Sequence, residues 1–175
     1  MDGRDTAIDL GTSTTTVFAG GRVVLEEPSL VALTTDDGRP VAVGSEARRM
    51  LGRTPASIEV VRPVQQGVIV DPDVCTRMLR FMVLQVHPRR WSRPKMLMVV
   101  PAGLAPEEQR AVQEAAEEAG ARRPVQLVEA HIAAALGVGL PIHDARGSMV
   151  VVVGGGRTEV AVLSLGGVVA RKSLR

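Results

Sequence analysis

Residues 8–17 read IDLGTSTTTV, and residues 151–160 repeat the arrangement without a gap as VVVGGGRTEV. Each copy is an apolar strand that breaks at glycine and resumes as a strand containing threonine. A glycine-rich turn exposes backbone N–H groups with no Cβ in the way, which suits an anionic phosphate. The alternative is that each copy is only a glycine-rich hairpin. Because the turn occurs twice, with helical sequence between the copies, we favour two loops that grip the phosphates of a nucleotide.

The rest of the chain alternates between strand and helix patterns. The predicted strands are 6–10, 14–19, 22–25, 30–34, 40–43, 96–100, 124–128, 148–153, 159–164 and 168–173. A short helix is predicted at 45–51, and three longer ones at 71–87, 106–120 and 130–138. Asp71 is the expected N-cap of the first long helix, on which Val74, Met78, Phe81 and Met82 would share one face. This order of elements predicts a layered α/β domain.

Composition excludes several classes of protein. The chain has 175 residues, of which 45% are hydrophobic and 23% charged, as in ordinary globular domains. A net charge of +2, with two phenylalanines, one tryptophan and no tyrosine, argues against nucleic-acid binding. The longest apolar runs are far shorter than the ~20 residues that span a bilayer, and a single cysteine forms no internal disulfide. We therefore expect a soluble, cytoplasmic protein without a signal peptide.

Motifs along nearly the whole chain resemble the MreB/Mbl family of bacterial actin homologues, in the superfamily of actin, DnaK and sugar kinases. They are AIDLGT at 7–12, EEPSLVA at 26–32, VGSEA at 43–47, MLGRTP at 50–55, RP at 62–63, GVI at 67–69, RAV at 110–112, AGA at 119–121, GGG at 154–156, TEVAV at 158–162 and SLGG at 164–167. The resemblance implies an actin-like ATPase (ribonuclease H-like) fold. Residues 1–145 would form the first lobe, with a small inserted subdomain at about 30–70, and residues 146–175 would open the second lobe.

The resemblance also implies ATP and Mg²⁺ as ligands. The phosphates would be contacted by Gly11, Thr12, Ser13, Thr14, Gly154, Gly155, Gly156 and Arg157, and Asp9 would face Mg²⁺ through water. Family members continue well beyond the point where this sequence stops, into the part that holds the adenosine. We expect a truncated and degenerate member, with a degenerate paralogue, a frameshifted product and a partial record as the open explanations.

Four substitutions separate the chain from the family pattern. Family members carry Glu-Glu-Pro before a helix, and the second Glu positions the attacking water; here the residues are Glu129, Ala130 and His131. A methyl group orients no water. Val152 replaces an Asp that holds Mg²⁺ through water, and Arg157 stands where Thr is usual. We therefore assign no catalytic residue and expect ATP to be bound weakly or not at all. We expect Glu129 to point away from the cleft and His131 to be a solvated or capping residue.

The function implied by the resemblance is a cytoskeletal role in cell shape and cell-wall morphogenesis. The chain would act through full-length homologues, by capping or co-assembly rather than by polymerising alone. One alternative is a small ATPase or phosphotransferase of the same fold, which would need a carboxylate where Ala130 and Val152 stand. The other is a non-functional fragment.

A loop near residue 91 raises the question of membrane attachment. Trp91 lies among cations that include Arg90 and Arg93, in the region where the family carries an apolar membrane loop. Tryptophan and basic side chains favour an anionic membrane surface. Two interpretations stay open: the loop touches the inner face of the cytoplasmic membrane, or Trp91 folds back onto the domain.

Overall fold

The computed structural model describes residues 5–88 and 93–174, which contain thirteen strands and four helices. The strands are β1 (Thr6–Leu10), β2 (Thr14–Ala19), β3 (Arg22–Pro28), β4 (Val31–Thr34), β5 (Pro40–Val43), β6 (Ile58–Val61), β7 (Val64–Gln65), β8 (Val68–Ile69), β9 (Lys95–Val100), β10 (Arg122–Glu129), β11 (Ser148–Val153), β12 (Thr158–Ser164) and β13 (Gly167–Leu174). The helices are α1 (Ser45–Met50), α2 (Pro72–Val86), α3 (Pro106–Ala119) and α4 (Ala130–Gly137). None of these helices is long and apolar enough to cross a membrane.

A five-stranded mixed sheet carries the main core, with its strands in the order β10-β9-β1-β2-β3. Strand β1 pairs antiparallel with β2 and parallel with β9, so Ile8 lies opposite both Val17 and Met98. All three side chains are fully buried. Helices α2 and α3 supply much of the rest of this core, together with residues of β4, β5 and β7. The carboxyl ends of β1 and β9 therefore reach the same edge of the sheet, which is where ligands bind in open α/β sheets.

The start of helix α2 follows from its sequence. Asp71 caps α2, as predicted, because its carboxylate accepts a hydrogen bond of 3.0 Å from the Val74 N–H. The buried face of α2 includes Cys75, Leu79 and Val83 as well as the predicted valine and methionines. Phe81 therefore lies at the margin of the buried face, with 40% of its surface exposed.

Removing the α2 cap gives a first testable result. We expect Asp71→Ala to lower the free energy of unfolding by about 1 kcal/mol, because the Val74 N–H loses its acceptor. Urea denaturation followed by circular dichroism measures the change. The matched control is Asp73→Ala, since Asp73 lies in the first turn of the same helix. Equal losses in the two variants would contradict the capping role.

A smaller sheet follows β3 in the chain. Its order is β5-β4-β6, and Leu30, Ala32 and Ala47 form a core of their own beneath α1. A carboxylate oxygen of Glu27 accepts a 2.6 Å hydrogen bond from the Ser45 N–H, which ties α1 to β3. Strand β6 was not predicted from the sequence.

Strands β7 and β8, of two residues each, form a hairpin that was also not predicted from the sequence. Its turn is Gln66-Gly67, and both residues have positive φ angles, of 50° and 78°. The Gly67 N–H donates a 3.0 Å hydrogen bond to Thr12 Oγ1. The hairpin tip therefore lies beside the first glycine turn.

The last three strands form an antiparallel sheet in the order β11-β12-β13. One face packs against α4 through Ala135, Val150 and Leu163. On the edge strand β11, Met149, Val151 and Val153 are exposed. We use "first lobe" for residues 5–145 and "second lobe" for residues 146–174; this division remains a prediction.

Candidate functional site

The two glycine turns face each other across one cavity of about 340 Å³. We call residues 11–14 the first loop and residues 154–157 the second loop. All nine residues that the sequence analysis assigned to phosphate or Mg²⁺ line this cavity: Asp9, Gly11, Thr12, Ser13, Thr14, Gly154, Gly155, Gly156 and Arg157. The structure thus brings the predicted residues together, while their binding of a ligand stays a prediction.

The two hairpins repeat each other in register. Leu10 lies opposite Thr15 at the end of the first hairpin, and Val153 lies opposite Thr158 at the end of the second. The first glycine of each loop meets the carbonyl of the residue three places later. A Cβ on Gly11 would lie 2.5 Å from the Thr14 oxygen, and one on Gly154 would lie 3.0 Å from the Arg157 oxygen. The first turn therefore excludes a side chain at this position, and the second would admit one only if the Arg157 carbonyl moved slightly.

Hydrogen bonds from Ser29 hold the backbone of the first loop in place. Its hydroxyl donates a 2.6 Å hydrogen bond to the Gly11 carbonyl, and its N–H donates to the Ser13 carbonyl at 3.0 Å. Thr15 Oγ1 lies 2.8 Å from Ser29 Oγ, and both side chains are fully buried. The carbonyl groups of this loop are thus occupied by the protein, which leaves backbone N–H groups as the partners for an anion.

The two loops also touch each other. A Cβ on Gly155 would overlap the Ser13 hydroxyl, and a Cβ on Gly156 would lie 2.8 Å from Thr12 Oγ1. The backbones can approach this closely only because both residues are glycines.

Asp9 is the one carboxylate of the predicted site, and it stands at the carboxyl end of β1. Its side chain is exposed, but the cavity walls hold back bulk water, and this desolvation raises the pKa of Asp9 above the ordinary 3.8. Within the described residues no three His, Cys, Asp or Glu side chains gather to hold a metal by themselves. That donor set fits Mg²⁺, which keeps several waters and binds through one or two carboxylates and phosphate oxygens.

Because folding raises the pKa of Asp9, replacing this residue is expected to stabilise the fold and to weaken ligand binding. A carboxyl whose pKa rises on folding favours the folded state while protonated, and this contribution is lost as pH rises through the folded pKa. At neutral pH we expect Asp9→Asn to raise the free energy of unfolding slightly while it weakens Mg²⁺-dependent binding. Urea denaturation at several pH values measures the free energy of unfolding of this variant and of the unsubstituted chain. The difference between the two should become smaller as pH falls toward 3.8. A destabilised variant would contradict this.

Arg157 lines the cavity but is partly committed elsewhere. Its Nε donates to Ser173 Oγ and lies 3.6 Å from Glu159 Oε1. Only 12% of the side chain is exposed, and Nη1 has no hydrogen-bond partner. An anion in the cavity would therefore meet a guanidinium group that is already anchored on one side.

The structure places the substituted residues Ala130, Val152 and His131, and the retained Glu129, as follows. Ala130 and Val152 both line the cavity, so an apolar side chain stands at each place. Glu129 lies outside the cavity lining, as expected, and its Oε1 accepts a 2.6 Å hydrogen bond from Arg171 Nη1. The expectation for His131 is wrong: the side chain is fully buried, because the first turn of α4 packs against the second lobe instead of facing water.

Sequence reasoning missed two carboxylates of the cavity, those of the exposed Glu26 and of the buried Glu159. The side chain of Glu159 is 6% exposed, and its Oε1 accepts a 2.8 Å hydrogen bond from the Ala102 N–H. The burial of Glu159 could have been predicted from the sequence. Side chains alternate between the two faces of β12, and Glu159 lies on the same face as the buried Ala161 and Leu163.

Of the proposed membrane loop, Arg90 and Trp91 lie outside the described residues. Arg93 is exposed and stands just before β9. Because Val100, at the other end of β9, lines the cavity, Arg93 and the cavity lie at opposite ends of this strand.

Comparisons with known proteins agree with this fold. The family model described as MreB/Mbl protein matches residues 3–175. The cell shape-determining protein MreB of Escherichia coli is 48% identical over the whole chain, which spans 52% of that relative. The cell shape-determining protein Mbl of Bacillus subtilis is 42% identical, again over the whole chain and 53% of the relative. The chain thus spans about half the length of these curated relatives.

Solved structures give the fold directly. MreB5 of Spiroplasma citri bound to ADP superposes with a TM-score of 0.88 at 31% identity, over 97% of this chain and 51% of its own. A chain of the MamK double helical filament superposes with a TM-score of 0.76 at 23% identity, over 97% of this chain and 54% of its own, and supports the fold alone. The predicted actin-like fold is confirmed, and the chain belongs to the MreB/Mbl family.

Proposed function

We propose that this chain is a cytoskeletal protein of cell-shape determination that holds the phosphates of Mg·ATP between its two loops. The observation that carries the proposal is the meeting of the two glycine loops and Asp9 in one cavity. The family relatives named for cell shape support the role, and MreB5 of Spiroplasma citri has been crystallised with ADP and with AMPPNP.

The charges of the cavity favour nucleotide with its metal over free nucleotide. Three carboxylates line the cavity, those of Asp9, Glu26 and Glu159. Among the described residues of the lining, Arg157 is the only one with a basic side chain. Bare phosphates would meet carboxylates, whereas bound Mg²⁺ neutralises phosphate charge. In this proposal Asp9 accepts hydrogen bonds from the water shell of Mg²⁺, and the loop N–H groups donate to phosphate oxygens.

Efficient hydrolysis is not part of the proposal. The two positions at which the family pattern places carboxylates are Ala130 and Val152, and both present methyl groups to the cavity. The remaining acid next to the helix, Glu129, is paired with Arg171 outside the cavity. ATP would therefore act as a weakly held ligand rather than as a rapidly consumed substrate.

Calorimetric titration of the purified chain with Mg·ATP tests the binding. We expect saturable heat that Asp9→Ala weakens about tenfold or more, the scale of a charge-assisted interaction. Asp36→Ala is the matched control, because Asp36 is exposed on the β4–β5 hairpin, away from the cavity. A folded chain that gives no heat at millimolar Mg·ATP would overturn the proposal.

We propose full-length MreB/Mbl homologues as the partners and the cytoplasm as the compartment. The support is family membership together with a chain that spans about half of its relatives. Co-sedimentation with purified full-length MreB should bring the chain into the pellet, while the chain alone stays in the supernatant. Filaments of the chain alone, increasing with concentration, would contradict a role limited to co-assembly.

A membrane contact at the loop that includes Arg90, Trp91 and Arg93 is the last part of the proposal. Its support is the sequence and the exposed position of Arg93 before β9. We expect the chain to co-sediment with liposomes that contain anionic lipid, and Trp91→Ala to reduce the bound fraction. Unchanged binding by that variant would exclude the tryptophan as the anchor.

A further inference from the structure

A surface groove lies at the end of the five-stranded sheet that is opposite to the cavity. Its volume is about 430 Å³, and the described residues that line it are Ala19, Gly20, Arg22, Val24, Val86 and His87. Ala19 lies opposite Thr6 at the start of β1, whereas the cavity lies at the other end of that strand. The site described above therefore does not account for this groove, which we call the basal groove.

One side of the basal groove carries groups that bind anions. Arg22 is exposed, and none of the ion pairs among the described residues includes it. His87 Nε2 lies 2.7 Å from Thr6 Oγ1, so Nδ1 is the ring nitrogen that remains for a ligand. The turn of Gly20 and Gly21 has φ angles of 58° and 82°, and its N–H groups lie outside the strand ladder. A guanidinium group beside such N–H groups suits a phosphate oxygen.

The charge of the basal groove is the reverse of that of the cavity. No acidic residue is among the described residues that line the groove, whereas three carboxylates line the cavity. Burial lowers the pKa of His87 below its ordinary value, so Arg22 supplies the charge of the groove at neutral pH. The groove therefore attracts an anion without the help of a metal ion.

The other side of the basal groove is apolar. Val24 is the residue of β3 that the pairing with β2 leaves out, and 39% of its surface is exposed. Val86, at the end of α2, is half-buried beside it in the lining. A free phosphate ion has no apolar part to place against these valines. A phospholipid has one, because its phosphate is esterified to a glycerol that carries acyl chains.

The surface around the basal groove is basic. β9 runs parallel to β1 and to β10, so all three strands start at this end of the sheet. The basic residues at or just before these starts are Arg93, Lys95, Arg122 and Arg123, all exposed, against one carboxylate, that of the half-buried Asp5. Basic residues at such a surface are attracted to anionic lipid. Arg93 also belongs to the proposed membrane loop, so the loop and the groove would face the same membrane.

We propose that the basal groove binds the phosphodiester headgroup of an anionic phospholipid. Arg22 would pair with a phosphate oxygen, and Val24 and Val86 would lie against the glycerol and the first acyl carbons. The inference rests on the proposed membrane contact, which it deepens by naming the lipid group that is recognised. It assigns that recognition to the groove between the β2–β3 turn and the end of α2, and not to the tryptophan of the loop.

Nitrogen-15 NMR of the glycine-labelled chain tests the groove without a membrane. Dihexanoyl-phosphatidylglycerol, kept below its critical micelle concentration, supplies the headgroup in soluble form. We expect the amide signals of Gly20 and Gly21 to shift and saturate. Gly38 should stay in place; it is the matched control, because it also has a positive φ angle in an open turn.

Inorganic phosphate at the same concentration is the second arm of the titration. We expect it to leave the signals of Gly20 and Gly21 unchanged, since it makes no contact with the two valines. Equal shifts with inorganic phosphate would assign the groove to a free anion and would overturn the lipid proposal. The absence of shifts with the soluble lipid would overturn it as well.

Arg22→Gln should weaken the affinity for the soluble lipid about fivefold, the scale of one basic residue at an anionic surface. Arg49→Gln is the matched control, because it removes the same charge from an exposed position on α1. That helix follows β3 at its cavity end, where Pro28 lies opposite Thr14. Equal affinities of the two variants, both shown to be folded by circular dichroism, would overturn the role of the groove.

Failure of the groove and failure of the membrane contact are distinguishable. If the chain does not sediment with anionic liposomes, or if Trp91→Ala leaves its sedimentation unchanged, the proposed contact through the loop fails by itself. The signals of Gly20 and Gly21 with soluble lipid still decide whether the groove binds the headgroup, because that titration uses neither a membrane nor the tryptophan.

Discussion

Ile8→Ala is expected to lower the free energy of unfolding by about 2–5 kcal/mol, the largest effect that we predict for a single substitution. Ile8 is fully buried in the centre of β1, opposite Val17 on one side and Met98 on the other. Both neighbours are held by their own strands, so they cannot collapse fully into the space that the lost carbons leave. Urea denaturation followed by circular dichroism measures the loss.

Val23→Ala is the control for Ile8→Ala. Val23 is also a β-branched strand residue, on β3 of the same sheet, but 54% of its surface is exposed. We expect its loss to stay within about 0.5 kcal/mol. Similar losses in the two variants would show that the core does not lie between β1 and the helices.

Gly11→Ala is the second large effect, and it acts on the site as well as on stability. The new Cβ would lie 2.5 Å from the Thr14 carbonyl oxygen, a backbone atom that cannot turn aside. We expect a loss of about 1–3 kcal/mol from the forced backbone shift. Since the shift moves the N–H groups of the first loop, Mg·ATP binding measured by calorimetry should disappear with it.

Gly137→Ala is the matched control for Gly11→Ala. Gly137 lies in the last turn of α4, and a Cβ there meets no atom within 4 Å. Alanine is the better helix former by up to about 1 kcal/mol, so this variant should be neutral or slightly stabilised and should bind normally. A Gly11→Ala chain with normal stability and binding would contradict the structure of the first loop.

The sequence predicted the elements that local patterns specify. The order of strands and helices from β9 to β13 follows from apolar periodicity, and the repeat at 8–17 and 151–160 predicted both glycine turns. β6, β7 and β8 were missed for a physical reason. β7 and β8 have two residues each, too few for a strand pattern, and β6 is defined by its pairing with β4.

The surroundings of His131 could not be predicted because they depend on the other lobe. A residue in the first turn of a helix usually faces water, and nothing near it in the chain indicates otherwise. Its burial comes from the contact of α4 with the second-lobe sheet, including Glu159, 28 positions further on. The burial of Glu159 itself was visible in the alternation of β12. Its bond to the Ala102 N–H was not, since that contact crosses from one lobe to the other.

The central claim is that both glycine loops hold the same phosphates. Nitrogen-15 NMR of a chain labelled only at glycine tests it directly, because glycines of both loops and of distant turns are observed together. On titration with Mg·ATP we expect the amide signals of Gly11, Gly154, Gly155 and Gly156 to shift together, while those of Gly38 and Gly137 stay in place. Shifts in only one loop, or in neither at saturating Mg·ATP, would contradict the claim.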